Sequence, residues 1–164
     1  MRILAIDPGY ERLGVAILEK LPRQKETVVY SACIRTKKTT PHAYRLLEIS
    51  EAVIKVIEKF KPEALAIETL FLHSNQKTVM AVSEARGAIL VSASKMGLTI
   101  HEYTPLQIKI AVTGYGRGDK TQIISMVQKL ISLPLGKRLD DEYDAIAVGL
   151  TCFASTKRNM EHKT

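Results

Sequence analysis

An α/β sandwich, a mixed sheet covered on both faces by helices, is the architecture this sequence predicts. Two patterns and one size argument carry that expectation. Three strand-like runs separated by short turns open the chain, as consecutive hairpins do. Helices then alternate with short apolar strands, which calls for a mixed sheet buried on both sides. At 164 residues, 46% of them hydrophobic, the chain has the size of one domain with a sizeable core.

The elements follow in order. Arg2 to Asp7 reads as a strand, and Leu13 to Leu18, after the Pro8-Gly9 turn, as a second that pairs with it. Thr27 to Thr36, with Val28, Val29 and Ile34, is a third, reached through the polar turn "EKLPRQKE". Pro41 opens a helix in which Leu46, Leu47, Ile49, Val53, Ile54, Val56 and Ile57 recur at helical spacing up to Phe60. Pro62 stops it, and Ala64 to Glu68 is a short buried strand. A long helix from Thr78 to Met96 runs through Val79, Val82, Ala85, Ile89 and Leu90 and closes at Gly97. Leu98 to Tyr103 is a fifth strand. In "TPLQIKIAVTG", Thr104 is the N-cap and Pro105 the first helical residue. The Gly-rich "GYGRGDK" leads to a helix from Thr121 to Ile131, and a last helix spans Asp140 to Phe153. The polar end, "STKRNMEHKT", is expected to fray. The expected organisation is one domain over residues 1–155 and a flexible tail over 156–164, with no repeat, linker or low-complexity tract.

Composition narrows the function. No stretch approaches the ~20 apolar residues of a membrane-spanning helix. The N-terminal apolar run is short and broken by Asp7, unlike a secretion signal. Cys33 and Cys152 have no metal-ligand spacing and make no disulfide framework, which suits a cytoplasmic protein with reduced thiols. The formal charge of +7 suits a polyanionic partner such as nucleic acid.

Three acids break the pattern. Asp7 ends the apolar run Ile3-Leu4-Ala5-Ile6, and Glu68 ends the apolar strand "ALAIE". A buried carboxylate costs several kcal/mol, roughly, unless it is paired, protonated or bound to a metal. Asp7 either caps the Pro8-Gly9 turn or ligates a cation; Glu68 either turns into solvent or does the same. In "LDDEYDAIAVGL", Asp140, Asp141, Glu142 and Asp144 open a helix whose Ile146, Val148 and Leu150 face the core. Asp141 and Asp144 share a helix face, and so do Asp140 and Asp144. Acids in a first turn complement the helix dipole, which accounts for Asp140 as N-cap but less well for Asp144 beside Ala145-Ile146-Ala147. Gathered together, such carboxylates repel one another unless a divalent cation joins them. Mg²⁺ or Mn²⁺ suits hard oxygen donors, and a two-metal site can hydrolyse a phosphodiester in line.

Taken as a set, "ILAIDPGYERLGVAIL", "ALAIETLF", "EARGAIL", "YTPLQIKIAVTGYGRGDK" and "DEYDAIAVGL" resemble the RuvC family of Holliday-junction resolvases, within the ribonuclease H-like superfamily. The similarity runs from Arg2 to about Phe153 in family order and spacing. It implies a ribonuclease H-like fold, a five-stranded mixed sheet flanked by α-helices on both faces. It also implies that Asp7, Glu68, Asp141 and Asp144 are the metal ligands. The family pattern, an acid, two residues, then Asp-Ala-Ile/Leu-Ala, selects Asp141 over Asp140, although some members carry His there. Lys109 and Lys120 match family lysines near the scissile backbone, and Phe71 matches an aromatic that contacts bases at the opened crossover. The activity implied is Mg²⁺-dependent, with Mn²⁺ substituting and two ions per site. Paired symmetric nicks in a four-way junction leave 5′-phosphate and 3′-hydroxyl ends. A homodimer and association with the RuvA and RuvB branch-migration proteins are implied too.

Read without the resemblance, Lys109 among Leu106, Ile108 and Ile110 is a solvated lysine, Lys120 belongs to a helix-starting turn, and Phe71 is a core residue. Arg117 and Tyr115 are candidate DNA contacts. Arg35, Lys37, Lys38 and Arg45 form a basic cluster that is either solvated or touches phosphate, and Arg86 is expected to pair with Glu84 or another nearby acid. Two other classes compete. "DPGYERLGVAI" also resembles the phosphate-binding hairpin of actin-like ATPases and sugar kinases, whose two domains this length does not supply. A ribonuclease H-like nuclease for structural RNA and a non-catalytic DNA-binding module complete the alternatives.

Overall fold

The computed structural model describes residues 1–70 and 76–161. Three consecutive strands, β1 (Arg2–Asp7), β2 (Arg12–Glu19) and β3 (Thr27–Arg35), form an antiparallel meander. Helix α1 (His42–Phe60) then crosses over to β4 (Ala64–Glu68), and α2 (Gln76–Lys95) to β5 (Thr99–Tyr103). Both of these strands pair in parallel, β4 with β1 and β5 with β4, so the five-stranded sheet has the order β3-β2-β1-β4-β5. Three helices complete the chain: α3 (Pro105–Thr113), α4 (Lys120–Leu130) and α5 (Asp140–Glu161).

Alternation along the strands decides which helix each residue meets. Leu4, Ile6, Val15, Ile17, Leu65 and Ile67 pack in one core with Ile49, Val53 and Ile57 of α1 and Ala85 and Ile89 of α2. Ile3, Ala5, Ala16, Leu18, Ala64 and Ala66 pack on the opposite face with Ile108, Val127, Ala145, Ile146 and Phe153. Asp7 keeps the parity of Ile3 and Ala5, and Glu68 that of Ala64 and Ala66. The period-two rule therefore aims both carboxylates at the α5 side.

That face is built from small residues, and they let α5 come close. A Cβ on Gly149 would sit 2.6 Å from a Leu18 methyl, and one on Gly14 would overlap the carbonyl oxygen of Asp141. Gly14 of β2 thus abuts the first turn of α5. A side network fixes that turn further. Glu142 accepts from the Leu139 backbone N–H at 3.0 Å and from the Ser31 hydroxyl at 2.5 Å, while Arg138 donates to Ser31 at 3.2 Å.

The structure changes one cap and shifts several boundaries, α2 starting at Gln76 among them. Leu139, whose carbonyl accepts from Glu142 and Tyr143, is the N-cap of α5, so Asp140 is the first helical residue and not the cap. Helix α4 starts at Lys120, because Asp119 caps it in a reciprocal box with Gln122. Helix α5 continues past Phe153 to Glu161: no Gly or Pro stops it, and the Ser155 and Thr156 hydroxyls bond to carbonyls one turn back. The capping box at Thr104, with Pro105 next, is as expected.

Gly14→Ala is predicted to destabilise the fold by roughly 1–3 kcal/mol, because backbone rather than a flexible side chain must yield. Denaturant unfolding measures it, and unchanged stability would show that α5 does not depend on this approach.

Candidate active site

Strands β1 and β4 run parallel in register, Ile6 beside Ile67, so their carboxyl ends set Asp7 and Glu68 side by side. Helix α5 brings Asp144 to them, one turn before the buried Ala147 and Val148. The three acids line one cavity of about 300 Å³, together with Lys109 of α3, Lys120 of α4, Ile108, Ile123 and Ala147. A larger recess of about 720 Å³ lies elsewhere, lined by Tyr103, Ile110, Leu150 and Phe153. Its one acid, Glu26, is paired with Lys20 at 2.6 Å, so it offers no comparable chemistry.

Burial and crowding hold the acids against ionisation. Asp7 is pushed up to about 8 by burial first, then by the charges of Glu68, Asp144 and Asp141, with Lys120 opposing. Glu68 rises to about 7 through burial and Asp144, partly countered by a hydrogen bond with Asp7 and the charge of Lys109. Burial also raises Asp144, while Lys120 lowers it. Lys120 lies 3.3 Å from both Asp140 and Asp144. The donor set is all carboxylate oxygen, with no thiol or imidazole in the cavity wall, and this fits a hard divalent cation. Among the described residues, no three His, Cys, Asp or Glu side chains are packed as a ready-made cage. The fit rests on the shared cavity and the raised acids.

Asp141 stands apart. Its Oδ2 forms an ion pair with Arg12 and accepts from the Cys33 thiol at 3.5 Å, and it does not line the cavity. Lys109 and Lys120 both line it, and Lys120 is also the first residue of α4, as its helix-starting reading had it. Arg117 is exposed outside the wall, and the Tyr115 hydroxyl donates to Gln122 at 2.8 Å. Phe71 lies outside the described residues. Arg86 pairs with Glu102 and also donates to the Glu68 carbonyl at 3.1 Å, bracing the end of β4. In the basic cluster, Arg45 is buried, bonded to Thr36 at 2.9 Å and stacked 3.6 Å over the Tyr10 ring, which removes it from the surface. Lys38 pairs with Glu11 at 3.2 Å. Sequence reasoning passed over Arg12. The small residues Gly14 and Ala16, alternating with Leu13, Val15 and Ile17, were the signal that a helix lies close to its face.

The raised acids make a pH prediction. The folded protein holds these protons more tightly than the unfolded chain does. Their contribution to stability in chelator is therefore fully present below the ordinary 3.8 of an aspartate and is lost as pH rises through about 8. Asp7→Asn removes much of that slope; unfolding at several pH values tests it, and equal slopes would contradict the assignment.

Comparison with known proteins identifies the family. The family model "Crossover junction endodeoxyribonuclease RuvC" matches residues 3–152. A protein of that name from Moorella thermoacetica is 44% identical over 155 residues, covering 94% of this chain and 92% of the other. The Thermus thermophilus RuvC structure superposes with a TM-score of 0.87 at 29% identity, covering 97% of each chain. The same protein in complex with Holliday junction substrate gives 0.87 at 30% identity over 94% of each. With the fold, the acid-lined cavity and these matches in agreement, the kinase-like reading falls away. The chain belongs to the RuvC family of crossover junction endodeoxyribonucleases, hydrolases that resolve Holliday junctions.

Proposed function

We propose that Asp7, Glu68 and Asp144, joined by Asp141, hold two Mg²⁺ ions, with Mn²⁺ able to replace them. Through them the protein resolves four-way DNA junctions by paired nicks. The observation that carries this reading is the convergence of three carboxylates from β1, β4 and α5 on one cavity beside two lysines. Divalent cations there would neutralise the acids, polarise the phosphodiester and lower the energy of in-line attack by water.

The chain's own groups do the rest. Lys109 and Lys120 line the same cavity, where their ammonium groups would offset the charge on a phosphate's non-bridging oxygens and draw the backbone toward the acids. A phosphate also gives Lys120 an anion other than Asp144, leaving that carboxylate free to ligate. Arg117, in the exposed loop before α4, and Phe71, after β4, extend the contact to DNA. Water adds to phosphorus as the P–O3′ bond breaks, leaving 5′-phosphate and 3′-hydroxyl ends.

Two matched nicks need two sites, and a homodimer whose two-fold axis coincides with the junction's supplies them. The exposed Met80 and Val91 of α2, with Tyr44 and Leu47 of α1, offer an apolar surface for that pairing. Both described cysteines are free, which suits action in the cytoplasm, alongside RuvA and RuvB branch-migration proteins.

Asp7→Asn is expected to bind a synthetic immobile junction while its cleavage falls more than roughly 100-fold, beyond what loss of an outer-shell group costs. Mapping both nicks with and without Mg²⁺ measures it. Retained cleavage refutes the ligand assignment, and junction binding without metal-dependent nicking by the unaltered protein refutes the enzymatic reading.

A further inference from the structure

The ion pair between Arg12 and Asp141 lies outside the cavity wall but near enough for Asp141 to act on Asp7 and Asp144, and the mechanism above leaves it unexplained. Arg12 begins β2 on the face that packs against α5, and its side chain is 48% exposed, against 20% for Asp141. Its strand partner is Arg35, directly opposite across the β2–β3 ladder, as Gly14 is opposite Cys33. Two arginines at opposed positions share one sheet face, where like charges repel. Arg35 is exposed and has no ion-pair partner among the described residues. Asp141 is thus the counter-ion of one arginine, Arg12, of a basic pair. Both of its side-chain contacts fall on Oδ2, and its carboxylate stays out of the cavity wall.

A half-exposed ion pair is weak in water. A guanidinium binds phosphate in a two-pronged geometry at least as well as carboxylate, and a DNA strand presents many phosphates at once. We propose that Arg12 is a substrate-operated latch on Asp141: together with Arg35 it takes a backbone phosphate of the bound strand, and so releases Asp141 toward the cations. This rests on the metal-site reading above. It makes DNA and cation binding reciprocally linked, each tightening the other. The free protein then holds an incomplete ligand set, and its nuclease centre is completed only on DNA. Arg12 is here a positioning residue, acting through Asp141. The backbone contact between Gly14 and Asp141 keeps the helix turn in place while the side chain swings.

The test is Mn²⁺ binding to the DNA-free homodimer, followed by the electron paramagnetic resonance of the free ion, with junction binding measured separately in chelator. Arg12→Gln is expected to tighten Mn²⁺ roughly two- to five-fold, the scale an exposed ion pair supports. Arg12→Gln combined with Asp141→Asn should lose that gain. In chelator, Arg12→Gln should weaken junction binding and reduce the salt slope by about one phosphate contact. Arg35→Gln keeps the ion pair, so it should weaken junction binding while leaving Mn²⁺ affinity unchanged; thermal melts confirm that each variant folds. Unchanged or weaker Mn²⁺ binding by Arg12→Gln, while Asp7→Asn still reduces it, overturns the latch and spares the metal site. Equal Mn²⁺ binding by Asp7→Asn and the unaltered protein overturns the metal site, and the latch with it. Unchanged junction binding by both arginine variants also overturns the proposal.

Discussion

Three carboxylates within one partly buried cavity repel one another, and most of what is unusual in this protein answers that repulsion. The fold cannot relax it by turning the acids outward. Asp7 and Glu68 are fixed by strand parity on the α5 face, and Asp144 by a helix whose next turn is fully buried. The molecule compensates in two ways. Asp7 and Glu68 retain protons well above the ordinary carboxylate range, and Lys120 leans on Asp144. Protons and an ammonium are the groups a divalent ion bound there would displace. The stability surrendered to crowded acids would then be the counterpart of affinity for that ion.

Local rules are broken where this constraint acts and obeyed elsewhere. A lysine as the first residue of a helix opposes the helix dipole, yet Lys120 sits there; Asp119 and Gln122 cap the same turn by the ordinary reciprocal bonds. Acids end two strands whose other residues are apolar. Arg86 reaches from α2 to the backbone carbonyl of Glu68, so the end of β4 is held by a side chain where the ladder finishes. The α5-facing strand positions Ala5, Gly14, Ala16, Ala64 and Ala66 give up apolar area that larger side chains would bury. They bring the helix, and Asp144 with it, within reach of the strand acids.

How much of this was legible in the sequence follows from how local each signal is. Strand and helix identities were readable throughout, because Ile3 to Ile6 and Leu46 to Ile57 carry their periods within a few residues. Helix ends were less so. Asp140 has the chemistry of a cap, but the helix begins one residue earlier, through Glu142 bonding back to Leu139, and Glu142 is anchored by Ser31 from a distant strand. The end of α5 was missed because polar residues carry no apolar period, while Ser155 and Thr156 support a helix by hydroxyl bonds. The anomalous acids marked the site, and family resemblance assigned their roles. Neither could show that Arg12 engages Asp141, or that Arg45 is spent on Tyr10 and Thr36 inside the fold, since those contacts join residues far apart in the chain.

The position of the site follows from the topology. Strand β1 is the one strand with an antiparallel neighbour on one side and a parallel neighbour on the other. At its carboxyl end the hairpin to β2 turns back immediately, while the partner β4 leaves through a longer connection, so the sheet opens a crevice there. Ligands of α/β sheets favour such carboxyl-end switch points. Here the crevice receives different chemistry from its two sides. The parallel half contributes Glu68 and, through the helices that follow β5, Lys109 and Lys120. The antiparallel half carries Arg12 and Arg35, opposite each other on the β2–β3 ladder and outside the cavity wall. Asp7 belongs to the strand between them, and Asp141 and Asp144 lie on a helix that packs across β2, β1 and β4. One helix turn thus meets Arg12 with Asp141 and the acid-lined cavity with Asp144, three residues on. A strand of phosphates that neutralised Arg12 and Arg35 would therefore change the charge felt by the cavity, with no need for the backbone to move.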